Sequence, residues 1–371
     1  MKQCFVLLSA VLSVVSAVVA GEMRCDPVGV FDSGIGGLSV LERILTLDEF
    51  DNSTGEMKPD GRPDFENERF VYFGDQANMP YGRYDAEGKT DFLRELIVRD
   101  AKFVLGEEGH RPSKIVVIAC NTATAYGLDR VRAMPRPRGE KVIGVVEAGV
   151  SAALDSLKNE KDPYAIAVMA TPGTISSGVY ERTIRARLAG CTNAYEVVNR
   201  GGIGLADAVE SGDPNAPLCA RTNLVAMVDE YRSRGGRLPI KAMILGCTHY
   251  PYVLDEFRAT FADLRRNPEY ASLIAEDLRF IDPAVYTAIE CYRSLRNDGL
   301  LRPASECVRR ADMFISVGKT GPLPDSVKYG RPCGLEDIGT RIVPVAEASL
   351  RKETKEGVRK SFPACYSAIE F

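Results

Sequence analysis

The sequence predicts an α/β fold made of two similar domains with mostly parallel sheets. Short, uniformly apolar runs alternate along the chain with longer segments whose apolar residues recur at helical spacing. Uniformly apolar runs are typical of strands covered on both faces, and alternation of strands with helices favours a parallel sheet. We expect strands at Val28–Phe31, Phe70–Phe73, Ile115–Ala119, Val142–Val146, Ala165–Ala170, Ala242–Leu245 and Phe280–Ile281.

Two internal repeats indicate that the domains are similar and related by a pseudo-two-fold axis. Lys114–Thr124 (KIVVIACNTAT) resembles Lys241–Tyr250 (KAMILGCTHY), since both run from Lys through an apolar strand to a small residue and Cys. Val28–Gly37 likewise resembles Ala165–Ser177, a strand that ends in hydroxyl and Gly residues. Ligands of open α/β sheets bind outside the carboxyl ends of the strands. The sequence therefore predicts an active site in the cleft between the domains.

The same pattern sets the expected domain boundaries. We expect a first domain over 28–145, interrupted by a polar surface insertion over 48–68 and completed by chain from about 255–320. A second domain is expected over 146–254, and 321–371 is expected to form a C-terminal extension rich in Pro, Gly and charge.

Composition excludes several classes of protein. Apolar residues make up 45% and charged residues 26% of the 371 residues, as in globular proteins, which excludes wholesale disorder. The 47 basic and 51 acidic residues give a net charge of −4, which argues against a nucleic-acid partner. Only two histidines, His110 and His249, are present and no CxxC motif occurs, so we expect no metal site.

The N-terminus has the pattern of a secretory signal peptide over residues 1–20. Lys2 precedes the uncharged apolar run Cys4–Ala20, which ends in a small residue suited to cleavage. We therefore expect export to the periplasm or the medium, without stable membrane insertion after cleavage. An uncleaved anchor and a cytoplasmic protein with a misassigned start codon are the alternatives.

Cys120 and Cys247 are the candidate reactive thiols. A lone Cys is most often a small buried apolar residue, but both of these end predicted strands and precede polar residues. Inverting a carbon centre without a cofactor needs a base on one face and an acid on the other. A thiol serves either task because its ordinary pKa of ~8.5 lies near neutrality.

Polar residues beside these thiols are candidates for assisting them. Asp32 and Ser33 precede a Gly-rich turn and a helix, where backbone N–H groups can approach a bound carboxylate. Simple helix capping is the alternative role for Asp32. His249 follows Cys247 by two residues and is expected to orient or deprotonate it, unless it is only a satisfied core histidine.

With these residues in place, the chain resembles the cofactor-independent glutamate racemases of the aspartate/glutamate racemase superfamily. The matching blocks, in the family's order, are VGVFDSGIGGLSVL (28–41), VYFGDQANMPYG (71–82), IACNTATA (118–125), GVVEAG (144–149), ATPGTISSGVY (170–180) and ILGCTHYP (244–251). The resemblance implies racemisation of glutamate by a thiol/thiolate pair without cofactor, with D-glutamate supplied for peptidoglycan. It implies that Cys120 takes the α-proton from the D-enantiomer and Cys247 from the L-enantiomer.

The resemblance also assigns further residues to the site. It implies that Asp32 assists the first thiol and that Asp75 and Glu210 assist catalysis, although Glu210 also fits an exposed helical Glu. The expected substrate-binding residues are Asp32, Ser33, Tyr81, Gly82, Asn121, Thr122, Thr248 and His249. The expected ligand is a small amino acid, with no cofactor and no metal, and the resemblance also admits a homodimer.

Two other functions stay open. An exported amino-acid-binding protein would suit the signal peptide, although binding alone demands no pair of strand-end cysteines. Another two-cysteine racemase of the same scaffold, acting on aspartate or a hydantoin, would keep both thiols. Decarboxylases of the superfamily that use one thiol are disfavoured because both cysteines are present.

Overall fold

A computed structural model of the chain describes most of the sequence. The described residues are 22–107, 110–136, 138–303, 310–318, 340–348, 350 and 352–369. The expected signal peptide over 1–20 and residues 321–339 of the expected extension lie outside them.

The described residues form ten strands and twelve α-helices. The strands are β1 (Val28–Asp32), β2 (Arg69–Gly74), β3 (Ile115–Ile118), β4 (Lys141–Gly144), β5 (Tyr164–Ala170), β6 (Tyr195–Gly201), β7 (Ile240–Gly246), β8 (Ile274–Ile281), β9 (Arg310–Gly318) and β10 (Thr340–Pro344). The helices are α1 (Leu38–Thr46), α2 (Thr90–Val104), α3 (Asn121–Ala133), α4 (Val145–Leu157), α5 (Pro172–Ser176), α6 (Val179–Arg187), α7 (Leu205–Glu210), α8 (Ala216–Ser233), α9 (Leu254–Arg266), α10 (Pro283–Asn297), α11 (Lys352–Ser361) and α12 (Pro363–Ala368).

Two sheets carry these strands and share one strand order. The first runs β10-β9-β2-β1-β3-β4 and the second β6-β5-β7-β8. All neighbours are parallel except β10 against β9. Within the first sheet, β2-β1-β3-β4 has the same order as β6-β5-β7-β8 in the second. The predicted α/β fold with mostly parallel sheets is confirmed. The two internal repeats fall on equivalent strands, β3 with β7 and β1 with β5.

The expected boundary near residue 254 is wrong, because the chain stays with the second sheet for longer. β8 pairs with β7, and Phe257 and Phe261 of α9 are buried in the core of the second sheet. The chain returns only at α10, which packs against α1 and α4, and then at β9 beside β2. The apolar run that predicted β8 contained no signal for which sheet it would join.

The predicted surface insertion over 48–68 is exposed only in its middle. Phe50 stacks on Tyr292 of α10 with ring centroids 4.3 Å apart, and Phe65 meets the same ring at 5.7 Å. Buried Asp64 closes the loop by accepting hydrogen bonds from the amides of Glu49 (2.8 Å) and Phe50 (3.2 Å). Both ends of the insertion therefore belong to the core of the first domain.

The described end of the expected C-terminal extension packs on the first domain. The Glu42 carboxylate on α1 accepts hydrogen bonds from the amides of Ala364 (3.0 Å) and Cys365 (2.8 Å) at the start of α12. The Phe362 ring meets Tyr252, in the turn after Cys247, at 5.4 Å between centroids.

Among the described helices, none combines the length and apolar character needed to cross a bilayer.

Candidate active site

The two candidate thiols lie at equivalent places, one beyond each sheet. Cys120 follows β3 and Cys247 follows β7, each the third strand in its sheet's common order. Both sulfur-bearing residues are buried and line one cavity between the sheets. The cavity encloses about 20 Å³, so the two walls must part before an amino acid can enter.

Cys120 sits at the start of α3. Its sulfur accepts a hydrogen bond from the Ala123 amide (3.4 Å) and lies 3.7 Å from the Ser33 hydroxyl. Burial, together with the nearby Asp32 carboxylate, raises the pKa of Cys120 well above its ordinary value. The neutral thiol is therefore its resting form.

Asp32 is a fully buried carboxyl at the end of β1. One oxygen, Oδ2, accepts a hydrogen bond from the Gly34 amide (3.0 Å), while Oδ1 has no partner among the described residues. Burial raises the pKa of Asp32 to about 6, against the opposing attraction of His249. Its carboxyl can therefore change protonation state close to neutral pH.

Cys247 faces a histidine that is held by a carboxylate. The Cys247 sulfur lies 3.5 Å from Nδ1 of His249, and Nε2 of His249 lies 2.7 Å from Oε2 of Glu210. Burial lowers the pKa of His249, but the Cys247 sulfur and Glu210 outweigh burial and raise it well above its ordinary value. Burial raises the pKa of Glu210, but its hydrogen bond with His249 prevails and lowers it. An imidazolium–carboxylate pair thus stands beside the second thiol.

The Gly-rich turn after Asp32 packs closely against protein groups. A Cβ on Gly36 would lie 2.6 Å from Cε1 of His249, and one on Gly37 would lie 2.3 Å from Cβ of Asp32. The Gly34 amide is used by Asp32, as given above. The turn therefore brings Asp32 and His249 together, and its approach to a bound carboxylate stays a prediction.

Asp75 lies in a different network from the thiols. Its carboxylate accepts hydrogen bonds from Asn78 (2.8 Å) and Tyr81 (2.5 Å), and it pairs with Arg99 at 2.6 Å. These contacts occupy both of its oxygens. They tie Asp75 to Tyr81 and Arg99, and the assisting role that the resemblance implies for Asp75 stays a prediction.

The predicted substrate-binding residues line the cavity, with one exception. Ser33, Tyr81, Gly82, Asn121, Thr122, Thr248 and His249 all contribute to its wall. Asp32 stands outside that wall. Sequence reasoning missed four other lining residues, which are Met79, Pro80, Thr171 and Ala206. Thr171 could have been found, because it follows β5 at the place equivalent to Ser33 after β1.

Hydroxyl groups join the two walls of the cavity. Thr122 of α3 lies 3.0 Å from the hydroxyls of both Thr171 and Thr174, which flank the start of α5. The Tyr180 hydroxyl donates to the side-chain carbonyl of Asn121 at 2.6 Å. These contacts cross from the first domain to the second and hold the closed cleft.

No group of three or more His, Cys, Asp or Glu side chains in the described part of the chain is arranged to hold a metal ion.

Comparison with known proteins finds one family throughout. The family model described as Asp/Glu/Hydantoin racemase matches residues 83–288. A glutamate racemase of Levilactobacillus brevis is 30% identical over 301 residues, which are 80% of this chain and 88% of the relative. A glutamate racemase of Jannaschia sp. is 33% identical over 68% of this chain and 83% of the relative.

Solved structures show the same likeness. The glutamate racemase from Francisella tularensis in complex with D-glutamate has a TM-score of 0.56 and 27% identity, over 82% of this chain and 92% of that chain. A glutamate racemase isoform from Bacillus anthracis has a TM-score of 0.55 and 26% identity, over 82% and 91%.

Proposed function

This chain belongs to the Asp/Glu/Hydantoin racemase family, and we propose that it is a glutamate racemase that works by proton transfer between two thiols. The observation that carries the proposal is the pair of cysteines, Cys120 and Cys247, which end equivalent strands and line one cavity. Two acid–base groups that reach a substrate from opposite walls are what inversion of one carbon centre requires.

In the proposed reaction, D-glutamate is bound between the two sulfurs. Asp32 first accepts the proton of the resting Cys120 thiol. The Cys120 thiolate so formed then takes the α-proton and becomes a thiol again, which leaves a carbanion at the α-carbon. The Cys247 thiol then gives its proton to the opposite face and becomes a thiolate, so that L-glutamate forms with no net loss of protons. The reverse reaction uses the same two groups in exchanged roles.

Each thiol has its own means of gaining and losing charge. Near neutral pH the Asp32 carboxylate is available as acceptor for the Cys120 proton, since its pKa is raised to about 6. The His249 imidazolium, 3.5 Å from the Cys247 sulfur, stabilises the negative charge that develops there. Glu210 keeps that imidazolium charged and in place.

Glutamate is the proposed substrate because the curated relatives that cover most of this chain are named glutamate racemases and one similar structure holds D-glutamate. The wall residues Ser33, Asn121, Thr122 and Thr248 supply hydroxyl and amide groups suited to the amino and carboxylate groups of an amino acid.

The test is incubation of the purified protein with L-glutamate, and separately with L-aspartate, in deuterated water. Optical rotation follows the loss of chirality and proton NMR follows the α-proton. We expect both signals to fall with glutamate, and to stay constant with the double variant Cys120→Ala/Cys247→Ala as control. Exchange with aspartate alone would assign a different racemase, and binding of glutamate without exchange would favour a binding protein.

We also propose that residues 1–20 are removed on export, since their sequence has the pattern of a signal peptide. An exported enzyme would adjust D-amino acids outside the cytoplasm, whereas a cytoplasmic one would supply D-glutamate for peptidoglycan. Mass spectrometry of the native N-terminus decides between them. We expect a chain that begins at Gly21, and an intact Met1 in the cytoplasmic fraction would contradict export.

A further inference from the structure

A second buried acid, Asp100, lies beneath the cavity. Asp100 is in the middle of α2 and is fully buried, as is Asp75 after β2. The Tyr81 hydroxyl lies 2.5 Å from Oδ2 of Asp75 and 2.6 Å from Oδ2 of Asp100. A phenol has one hydrogen and can donate to only one of these oxygens. The second short contact therefore needs another proton, carried by one of the two acids.

The surrounding donors show which acid carries that proton. Both Asp75 oxygens already receive N–H groups, from Arg99 (2.6 Å) and from Asn78 (2.8 and 3.1 Å). Among the described residues, Arg99 donates to Oδ1 of Asp100, at 3.0 and 3.2 Å, and Tyr81 is the one hydrogen-bond partner of Oδ2. A proton on Oδ2 of Asp100 thus completes every contact, and it leaves one Arg99 cation with one Asp75 anion in a buried place where an extra charge is costly.

We propose that Asp100 is a positioning residue that acts as a neutral acid, donating to the Tyr81 oxygen and so fixing the Tyr81–Gly82 wall of the cavity beside Cys120. Tyr81 and Gly82 both line that cavity, and Gly82 packs so closely on Thr171 that a Cβ there would lie 2.8 Å from Cβ of Thr171. A shift of this wall would therefore change the shape of the substrate site. The role in substrate binding rests on the proposed racemase function.

The other groups that face this network agree with a neutral Asp100. Burial and the charge of Asp75 raise the pKa of Asp100 well above its ordinary value. Arg99 is held on its other side by the Thr340 hydroxyl at 3.2 Å and by the face of Phe73. Tyr84 is tied to the same segment through its hydroxyl, which donates to the Asn78 carbonyl at 3.0 Å.

Two variants of Asp100 separate positioning from a merely structural role. Asp100→Asn keeps a donor for Tyr81 and an acceptor for Arg99, whereas Asp100→Leu keeps the branched shape but neither group. We expect the Leu variant to raise KM for glutamate about tenfold, roughly one lost hydrogen bond, with little change in kcat. The Asn variant should restore a KM close to that of the unaltered enzyme. A merely structural role would lower the folded fraction, and so kcat, without moving KM.

The proton itself is observed independently of activity by ¹³C NMR of the intact protein labelled at the Asp carboxyl carbons. With the backbone labelled as well, we expect the Asp resonance that through-bond correlation assigns to Asp100 to keep the shift of a protonated acid at neutral pH and to vanish in Asp100→Asn. In Asp75→Asn it should move to the shift of a carboxylate, because Asp100 then becomes the anion that balances Arg99. A protonated resonance assigned to Asp75 instead of Asp100, or no protonated resonance besides that of Asp32 as identified by Asp32→Asn, would overturn the proposal. If the NMR result holds but glutamate is not racemised, the proposed function fails and the neutral acid stands.

Discussion

Cys120 and Cys247 occupy equivalent positions in two sheets of the same strand order, yet their surroundings carry opposite charge. Cys120 has the buried Asp32 carboxyl and the Ser33 hydroxyl as neighbours, and its pKa is raised. Cys247 has the His249 imidazolium, backed by Glu210. The comparison teaches that a repeated fold can place two identical groups symmetrically and still prepare them differently, because the residues that follow each strand differ.

Removing either sulfur should have the largest effect, because each thiol must act as base in one direction and as acid in the other. We expect Cys120→Ala and Cys247→Ala each to lower the rate of net racemisation by about 10⁴-fold or more, at or beyond the upper end for loss of an acid–base group. The measurement is optical rotation from both enantiomers. Cys291→Ala, which removes a buried thiol outside the cavity, is the matched control and should stay active. Near-normal racemisation by either single variant would end the two-thiol account.

Replacing one assisting group at a time tests whether the two surroundings serve different thiols. We expect Asp32→Asn and His249→Asn each to lower kcat/KM by about 10²-fold. Each variant should lower kcat/KM equally in both directions, since the equilibrium constant is fixed by the substrates, but should change the two kcat values unequally. Asp32→Asn should change one of the two kcat values more, and His249→Asn should change the other one more. Equal changes in both kcat values for both variants would mean that the two surroundings are not specialised.

The pH dependence of kcat/KM should report the protonation of Asp32, the group beside Cys120. As the pH falls below about 6, the Asp32 carboxylate becomes protonated and can no longer accept the Cys120 proton. We therefore expect kcat/KM to fall about tenfold per pH unit on the acid side of pH 6. The inflection should be absent from Asp32→Asn and present in His249→Asn. An inflection that survives in Asp32→Asn would have to be assigned to another group.

The smallest effect is expected from Glu210→Gln, which acts on Cys247 only through His249. The amide cannot hold the imidazolium as the carboxylate does at 2.7 Å, so the pKa of His249 should fall. We expect a loss in kcat/KM of about tenfold or less, together with a lower His249 pKa by NMR titration. Glu181→Gln, which removes an exposed partner of Arg185, is the control. An unchanged His249 titration would show that Glu210 has no such role.

Much of the site could be predicted because its residues directly follow apolar strands. Cys120, Cys247, Asp32 and His249 all stand within three residues of a strand end, where a parallel sheet brings its ligand-binding groups together. Thr171 was missed, although it directly follows the strand equivalent to the one before Ser33. The internal repeat that pairs Val28–Gly37 with Ala165–Ser177 would have identified it, had the two segments been compared residue by residue.

Contacts between distant segments could not be predicted, because the local sequence contains no signal for them. The Arg99–Asp100 pair lies within a helix whose pattern shows only that one face is apolar, so its burial under Tyr81 depends on how α2 packs on β2. The polar stretch that contains Phe50 and Phe65 is typical of an exposed loop, and only α10 shows where the two rings go. The return of the chain to the first sheet was misplaced for the same reason.

The central claim is that two different groups handle the α-proton on the two faces of the substrate. Its most direct test is the fate of hydrogen at low conversion, with L-glutamate in deuterated water and analysis of each enantiomer by mass spectrometry. The account predicts one deuterium in the D-glutamate formed and none in the L-glutamate recovered, because Cys247 removes the proton and Cys120 delivers one equilibrated with solvent. The same must hold with the enantiomers exchanged. Deuterium in the recovered substrate at a rate similar to that in the product, or protium carried over into the product, would show that one group serves both faces and would contradict it.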